Sequence, residues 1–288
     1  MIPGAFTYHR PASVAEAVGL LADLGEDARP LAGGHSLIPM MKLRLATPGH
    51  LVDLAGLKDL KGVAADGNDI VIGAMTTQHE LIASDLLAGK VPLLREVSQQ
   101  IADPQVRYLG TLGGNVANGD PGNDMPALML ALDATYVVKG PNGERREAAR
   151  DFYLGIYETT LQPGEVLVEI RIPAPPRPHG WAYEKLKRKV GDYATAAAAV
   201  LMTVSGGRVA TCAIGLTNVG DRPLHAENAA KAAIGTALDG PSLKRAAEAA
   251  EAVAAPAEDG RGSTEYRTKM AGVMTRRALE RAFARATA

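Results

Sequence analysis

The stretches Ala32-Gly33-Gly34-His35-Ser36 and Thr111-Leu112-Gly113-Gly114-Asn115 carry most of the functional information in this chain, and they are called below the first and second glycine segments. Paired glycines let a backbone turn sharply and let another molecule approach its N–H groups. Neither segment has the G-x-G-x-x-G pattern of dinucleotide-binding folds or the G-x-x-x-x-G-K-[ST] pattern of phosphate-binding loops. The pattern alone leaves two interpretations open, two tight turns or two halves of an anion site.

Length and composition exclude several classes of protein. The 288 residues are 47% hydrophobic and 22% charged, which suffices for a buried core. The net charge of -1 gives no argument for binding nucleic acid, which is not expected as a partner. Because Cys212 is the single cysteine, the chain cannot form an internal disulfide or a cysteine-ligated cluster. We find no secretory signal and no apolar run long enough to span a membrane, so we expect a cytoplasmic location.

The chain is predicted to have three regions, at residues 1–55, 56–175 and 178–288, and its fold class is predicted as α+β. The first two regions read as small α/β units, with capping boxes at Ser13 and Thr77. A long glycine-rich loop is predicted over 103–123, followed by a helix with Asp124 as its N-cap. Prolines between 173 and 178 mark a boundary. Beyond them we predict a three-stranded antiparallel sheet, with strands at 181–187, 195–204 and 208–216, and then three helices at about 224–235, 241–254 and 264–285.

Several polar residues allow more than one role. His35 has no second histidine nearby, which favours packing or hydrogen bonding over metal binding or general base chemistry. Asp124 suits a helix cap, a cation site or a sugar hydroxyl. The basic run 185–189 and the basic face of the last helix suit solvated surface or a docking face for an acidic partner. We predict no catalytic residue and no metal ligand in this chain.

The two glycine segments, together with an aspartate nine residues after Asn115, resemble the FAD-binding subunits of the molybdenum hydroxylases, the xanthine dehydrogenase-like enzymes. Stretches 31–54, 101–132 and 183–200, with the total length, resemble the medium subunits of aerobic molybdenum-containing carbon monoxide dehydrogenases. The resemblance covers essentially the whole chain. It implies a two-part FAD-binding region of the vanillyl-alcohol-oxidase/PCMH type followed by the C-terminal α+β domain.

The resemblance also implies roles for individual residues. Backbone N–H groups of both glycine segments would cradle the pyrophosphate of FAD, and Asp124 would hold a polar group of its adenosine or ribityl part. Lys185 would favour a reduced, anionic flavin, and Tyr193 would cover one face of the ring. The cofactor-binding residues implied are Ala32, Gly33, Gly34, His35, Ser36, Ile101, Thr111, Leu112, Gly113, Gly114, Asn115, Asp124, Leu167, Lys185 and Tyr193.

The family further implies a complex with separate subunits. A small subunit would carry two [2Fe–2S] clusters and a large subunit the molybdopterin, in a dimer of heterotrimers. Electrons would pass from the clusters through FAD to a quinone or cytochrome, with peripheral attachment to the inner membrane through partners. Two alternatives stay open. One is the flavin subunit of a xanthine, aldehyde or aromatic dehydrogenase that reduces NAD, and the other is a nucleotide-binding assembly module without redox activity.

Overall fold

A three-stranded parallel sheet forms the N-terminal part of the computed structural model, which describes residues 2–288. The strands lie in the order β1-β3-β2. The Ser13 hydroxyl accepts a hydrogen bond from the Glu16 N–H and caps the first helix as predicted, because it satisfies one of the free N–H groups of the first turn. The elements are β1 (Thr7–His9), α1 (Val14–Leu24), β2 (Ala28–Leu31), α2 (Leu37–Lys42) and β3 (His50–Asp53), with 3-10 turns at Gly25–Asp27 and Lys58–Leu60.

A five-stranded antiparallel sheet forms the middle part, in the order β4-β5-β10-β6-β7. Both hairpins predicted from turn residues are present in it. The elements are β4 (Val63–Asp66), β5 (Asp69–Gly73), α3 (Gln78–Ala83), α4 (Asp85–Lys90), α5 (Pro92–Gln100), α6 (Pro104–Leu109), α7 (Leu112–Ala117), α8 (Asp124–Ala131), β6 (Thr135–Gly140), β7 (Gly143–Ala148), α9 (Ala149–Phe152), β8 (Tyr153–Gly155), β9 (Glu158–Thr159) and β10 (Val166–Pro173).

The prediction of one long loop over 103–123 is wrong, because helices α6 and α7 lie within it. Asp103 caps α6 and Thr111 caps α7, each by accepting a hydrogen bond from an N–H three residues ahead. Glycine disfavours helix, but burial of the apolar side chains Leu112 and Val116 overrides that local preference. The second glycine segment is therefore the first turn of a helix rather than a loop.

The C-terminal part has a four-stranded antiparallel sheet, β11-β12-β13-β14, where three strands were predicted. The fourth strand occupies the start of the predicted 224–235 helix, which begins only at Glu227. The predicted α+β class is confirmed. The elements are β11 (Gly180–Leu186), β12 (Ala196–Ser205), β13 (Arg208–Thr217), β14 (Leu224–His225), α10 (Glu227–Ala233), α11 (Gly240–Val253) and α12 (Thr264–Thr287).

Helix α8 lies between the middle and C-terminal parts, and all eight of its residues are buried. Apart from Asp124 at its start, it is apolar on every side, as expected of a helix packed all round. Its backbone approaches β13 so closely that a Cβ at Gly215 would lie 1.9 Å from the Ala127 carbonyl oxygen. This packing fixes the position of Asp124, the first residue of α8, next to strand β11.

Candidate cofactor-binding site

A cavity of about 390 Å³ lies where the three parts of the chain meet. Both glycine segments line it, as do residues of β10, β11 and the 191–193 turn. All of the predicted site residues line this cavity except Leu112, whose side chain is fully buried in the core of the middle part. Residues up to 161 positions apart in sequence, from Ala32 to Tyr193, therefore share one site.

The first glycine segment offers its backbone to the cavity. Within residues 2–288, the N–H groups of Gly33, Gly34, His35 and Ser36 have no hydrogen-bond partner. Gly34 has a φ of +73°, a conformation that glycine adopts without steric cost. Successive free N–H groups in such a turn form a concavity that binds anions. A pyrophosphate therefore fits this segment.

The backbone of the second glycine segment is engaged within the protein. The N–H groups of Leu112 and Gly113 donate to the carbonyl oxygens of Thr76 at 2.9 Å and Ala74 at 2.8 Å. Those of Gly114 and Asn115 donate to the Thr111 hydroxyl and carbonyl oxygens, both at 3.1 Å. These four N–H groups already have partners within the protein, whereas those of residues 33–36 have none in the described part of the chain, so the two segments offer different groups to a ligand.

The two segments also contact each other. A Cβ at Gly33 would lie 2.2 Å from the Leu109 carbonyl oxygen, and one at Gly114 would lie 3.1 Å from the Ala32 Cβ. A Cβ at Gly113 would lie 2.5 Å from the Ala74 Cβ. Gly33 and Gly113 are therefore required for close packing of the protein against itself. The free N–H groups, rather than the glycines as such, mark the ligand site.

Asp124 does not cap α8, because Asn123 occupies the N-cap position. Its carboxylate instead accepts a hydrogen bond from Lys185 Nζ at 2.6 Å and another from the Tyr183 hydroxyl. The Lys185 and Asp124 side chains are only 1% and 6% exposed. Burial and the nearby carboxylate raise the pKa of Tyr183 well above its usual value, so the hydroxyl stays protonated. The Lys185 charge is thus compensated by Asp124.

Apolar and aromatic side chains complete the wall. Ile101 and Leu167 are almost fully buried and line the cavity. Tyr193 is 42% exposed, and its ring packs so closely on Gly122 that a Cβ there would lie 2.9 Å from a ring carbon. The Arg261 guanidinium lies 5.6 Å from the centroid of the same ring. An aromatic ring held in this way can stack on a planar ligand.

Comparison with known proteins assigns this arrangement to a family. Residues 4–175 match the FAD binding domain in molybdopterin dehydrogenase, and residues 181–282 match the CO dehydrogenase flavoprotein C-terminal domain. The carbon monoxide dehydrogenase medium chains of Afipia carboxidovorans and Hydrogenophaga pseudoflava are 67% and 52% identical, each over 99% of both chains. The chain belongs to the carbon monoxide dehydrogenase flavoprotein family.

The structural comparison agrees with that assignment. A chain of the crystal structure of the cyanide-inactivated form of Cu,Mo-CO dehydrogenase superposes with a TM-score of 0.98 at 67% identity, covering 99% of this chain and 100% of that one. Family membership confirms the predicted resemblance, the class of oxidoreductase subunit and FAD as the cofactor of this chain. In this flavoprotein family the molybdopterin and iron–sulfur centres belong to other subunits.

The basic residues that the sequence suggested as a docking face are largely engaged within the flavoprotein. Arg188 pairs with Asp192 at 3.0 Å, and the buried Arg267 donates to three backbone carbonyl oxygens. Arg285 of α12 pairs with Glu96 of α5 at 2.7 Å, and Arg281 pairs with the same carboxylate. These ion pairs and hydrogen bonds connect parts of the chain, and a docking role for the exposed members of the same basic surfaces stays a prediction.

Sequence reasoning missed two residues of the flavoprotein site, Tyr183 and Gln78. Alternation along β11 places Tyr183 and Lys185 on one face of the strand, but nothing in the sequence connects that face with Asp124. Gln78 follows the predicted Thr77 cap and lines the cavity. Within residues 2–288, no helix is long and apolar enough to cross a membrane, and no group of three His, Cys, Asp or Glu side chains could hold a metal.

Proposed function

We propose that this chain is the FAD-binding medium subunit of an aerobic carbon monoxide dehydrogenase. It takes electrons from [2Fe–2S] clusters of a small subunit and passes them to a quinone or cytochrome. The observation that carries this proposal is the cavity that connects the free N–H groups of residues 33–36 with Lys185 and Tyr193. That cavity lies in a chain 67% identical to a carbon monoxide dehydrogenase medium chain over its whole length.

The residues of this chain bind and orient the cofactor. The free N–H groups and the Ser36 hydroxyl would hold the pyrophosphate, and Thr111 and Asn115, which line the same cavity, would lie beside it. Ile101 and Leu167 would pack against its apolar surface, and the Tyr193 ring would cover one face of the flavin. When bound, FAD accepts electrons from one-electron donors and transfers them to the external acceptor.

The buried Lys185–Asp124 pair has a different role from the one expected for a lone lysine. A bare ammonium beside the ring would favour a negative charge on it strongly. Because Asp124 lies 2.6 Å from the ammonium and compensates its charge, the pair acts on the ring more weakly than a lone ammonium would. Lys185 therefore shifts the equilibrium between the charged states of the flavin less than an unpaired lysine would.

The proposed assembly has two further subunits, a small one with two [2Fe–2S] clusters and a large one with the molybdopterin. Together with this chain they form a heterotrimer that dimerises, in the cytoplasm, with peripheral attachment to the inner membrane through partners. Carbon monoxide is oxidised to carbon dioxide on the large subunit. Size-exclusion chromatography with light scattering on the purified complex tests this composition, and a stable complex without the small iron–sulfur subunit would contradict it.

The cofactor proposal is tested by the visible spectrum of the purified complex. We expect flavin bands from this subunit that dithionite bleaches, and FAD released on denaturation in one equivalent per chain. A complex in which this chain binds ADP but no flavin would instead support the nucleotide-binding assembly module.

The substrate is tested by anaerobic reduction of the flavin in the same complex. Carbon monoxide should bleach the flavin, and a quinone analogue should reoxidise it. Bleaching by xanthine, an aldehyde or an aromatic heterocycle but not by carbon monoxide, with NAD as the oxidant, would establish the related hydroxylase instead.

A further inference from the structure

The Asp124 carboxylate is shared between a neutral donor and a charged one. Its Oδ1 accepts a hydrogen bond from the Tyr183 hydroxyl, and its Oδ2 accepts one from Lys185 Nζ at 2.6 Å. In the part of the chain that the structure describes, these are its two donors. All three side chains are almost completely buried, so water screens their charges weakly. The electrostatics of this side of the cavity therefore depends on Tyr183 as well as on the ion pair.

The Tyr183 hydroxyl has a fixed position. The side chain is fully buried in the hydrophobic core of the middle part. Its backbone is paired with Ala199 of β12, and its N–H donates to Glu96 Oε1 of α5 at 2.9 Å. Tyr183 itself does not line the cavity. It can therefore act on a ligand only through Asp124 and Lys185.

The Tyr183 hydroxyl opposes part of the negative charge that Asp124 presents to Lys185. Burial and the nearby carboxylate raise the pKa of Tyr183 well above its usual value, so the hydroxyl remains a donor at neutral pH. A donor directed at a carboxylate places the positive end of its O–H dipole against the negative charge, in a charge-assisted hydrogen bond. Less of the Lys185 charge is therefore cancelled at the cavity than in the same ion pair without this hydroxyl.

We propose that Tyr183 is a positioning residue that makes the cofactor site more positive, because it holds the Asp124 carboxylate and offsets part of its charge. This inference rests on the proposed FAD site. A reduced, anionic flavin carries more negative charge than an oxidised one, so a more positive site favours the reduced form. Tyr183 thereby makes the bound cofactor easier to reduce without touching it.

The test measures the ratio of reduced to oxidised flavin at a fixed applied potential in the purified complex, by spectroelectrochemistry. Tyr183→Phe removes only the hydroxyl and should lower this ratio by up to about tenfold, or about 30 mV for a two-electron couple. Asp124→Asn removes the compensating charge and should raise the ratio. Tyr136→Phe is the matched control and should leave the ratio unchanged. The Tyr136 hydroxyl is also buried, is bonded to the Tyr153 hydroxyl at 2.7 Å, and lies away from the cavity lining.

A second replacement keeps the test decisive if Tyr183→Phe fails to fold. Replacing Tyr183 by 3-fluorotyrosine largely keeps the shape of the ring but makes the hydroxyl a stronger donor, so the ratio should rise above the wild-type value. A ratio that Tyr183→Phe leaves unchanged, or shifts in the same direction as Asp124→Asn, would overturn the inference, as would a fluorotyrosine variant whose ratio does not rise. A wild-type complex without flavin would instead refute the proposed function and the inference with it.

Discussion

In the first glycine segment, the N–H groups of residues 33–36 have no partner within residues 2–288, whereas in the second those of residues 112–115 all donate within the protein. Both segments contain a Gly-Gly pair with a hydroxyl residue at one end. The difference lies in the elements around them. The second segment begins a helix and is bonded to Thr76 and Ala74, while the first ends a strand and turns toward the cavity.

This difference divides two tasks between similar sequences. Free N–H groups bind a ligand, and engaged ones position the wall against which the ligand lies. The second segment also fixes the start of α8 through two hydrogen bonds of Asn115. The Asn115 backbone carbonyl accepts from the Asn123 side-chain amide at 2.8 Å, and the Asn115 side-chain oxygen accepts from the Met125 N–H at 3.3 Å. Substitutions in the second segment should therefore change the stability of the protein, whereas substitutions in the first should change ligand binding.

The largest effect on stability is expected at the buried ion pair between Asp124, at the start of α8, and Lys185 of β11. Lys185→Met leaves the buried Asp124 carboxylate without its cation and should lower the free energy of unfolding by about 3–5 kcal/mol. Urea denaturation of the apoprotein measures this. Lys189→Met at an exposed position should change it by less than about 0.5 kcal/mol. The double variant Asp124→Asn/Lys185→Met should recover part of the stability lost in Lys185→Met. No recovery would show that the unpaired Asp124 carboxylate does not cause that loss.

A smaller effect is expected where the second segment packs on the residue that follows β5. Gly113→Ala would put a methyl group 2.5 Å from the Ala74 Cβ and should destabilise the apoprotein by about 1–3 kcal/mol. A Cβ at Gly89 in α4 would meet no atom within 4 Å, so Gly89→Ala should be neutral or stabilising. Equal stability of the two variants, measured by urea denaturation, would contradict the packing described for the second segment.

Truncation of the two hydroxyls compares the segments directly. Thr111→Ala removes the cap of α7 and should cost about 1 kcal/mol of stability. Ser36→Ala should leave apoprotein stability within about 0.5 kcal/mol and weaken FAD binding by about threefold to tenfold. Thermal unfolding and FAD titration measure the two outcomes. The comparison fails if Ser36→Ala destabilises the chain and Thr111→Ala does not.

Local signals in the sequence predicted much of the fold. Turn residues at 66–69 and 141–143 predicted both hairpins of the middle sheet, and the caps at Ser13 and Thr77 predicted where two helices begin. Such features depend on residues within a few positions of each other. The helix over 112–117 was missed because glycine locally disfavours it and distant apolar packing decides in its favour.

The candidate site could be predicted only in part from the sequence, for the same physical reason. Family resemblance indicated which residues meet, and all but Leu112 do line one cavity. It did not reveal that Asp124 pairs with Lys185, because that contact joins residues 61 positions apart. Whether an N–H group is free depends on the carbonyl groups that fold against it. The different uses of the two glycine segments are therefore a property of the tertiary structure.

Amide hydrogen exchange at residue resolution, with and without FAD, tests the comparison most directly. Amides without a partner exchange quickly and become protected when a ligand accepts from them. We predict fast exchange for residues 33–36 in the apoprotein and marked slowing with FAD, while residues 112–115 exchange slowly in both states. Slowing at residues 112–115 with no change at 33–36 would contradict the division of tasks between the two segments.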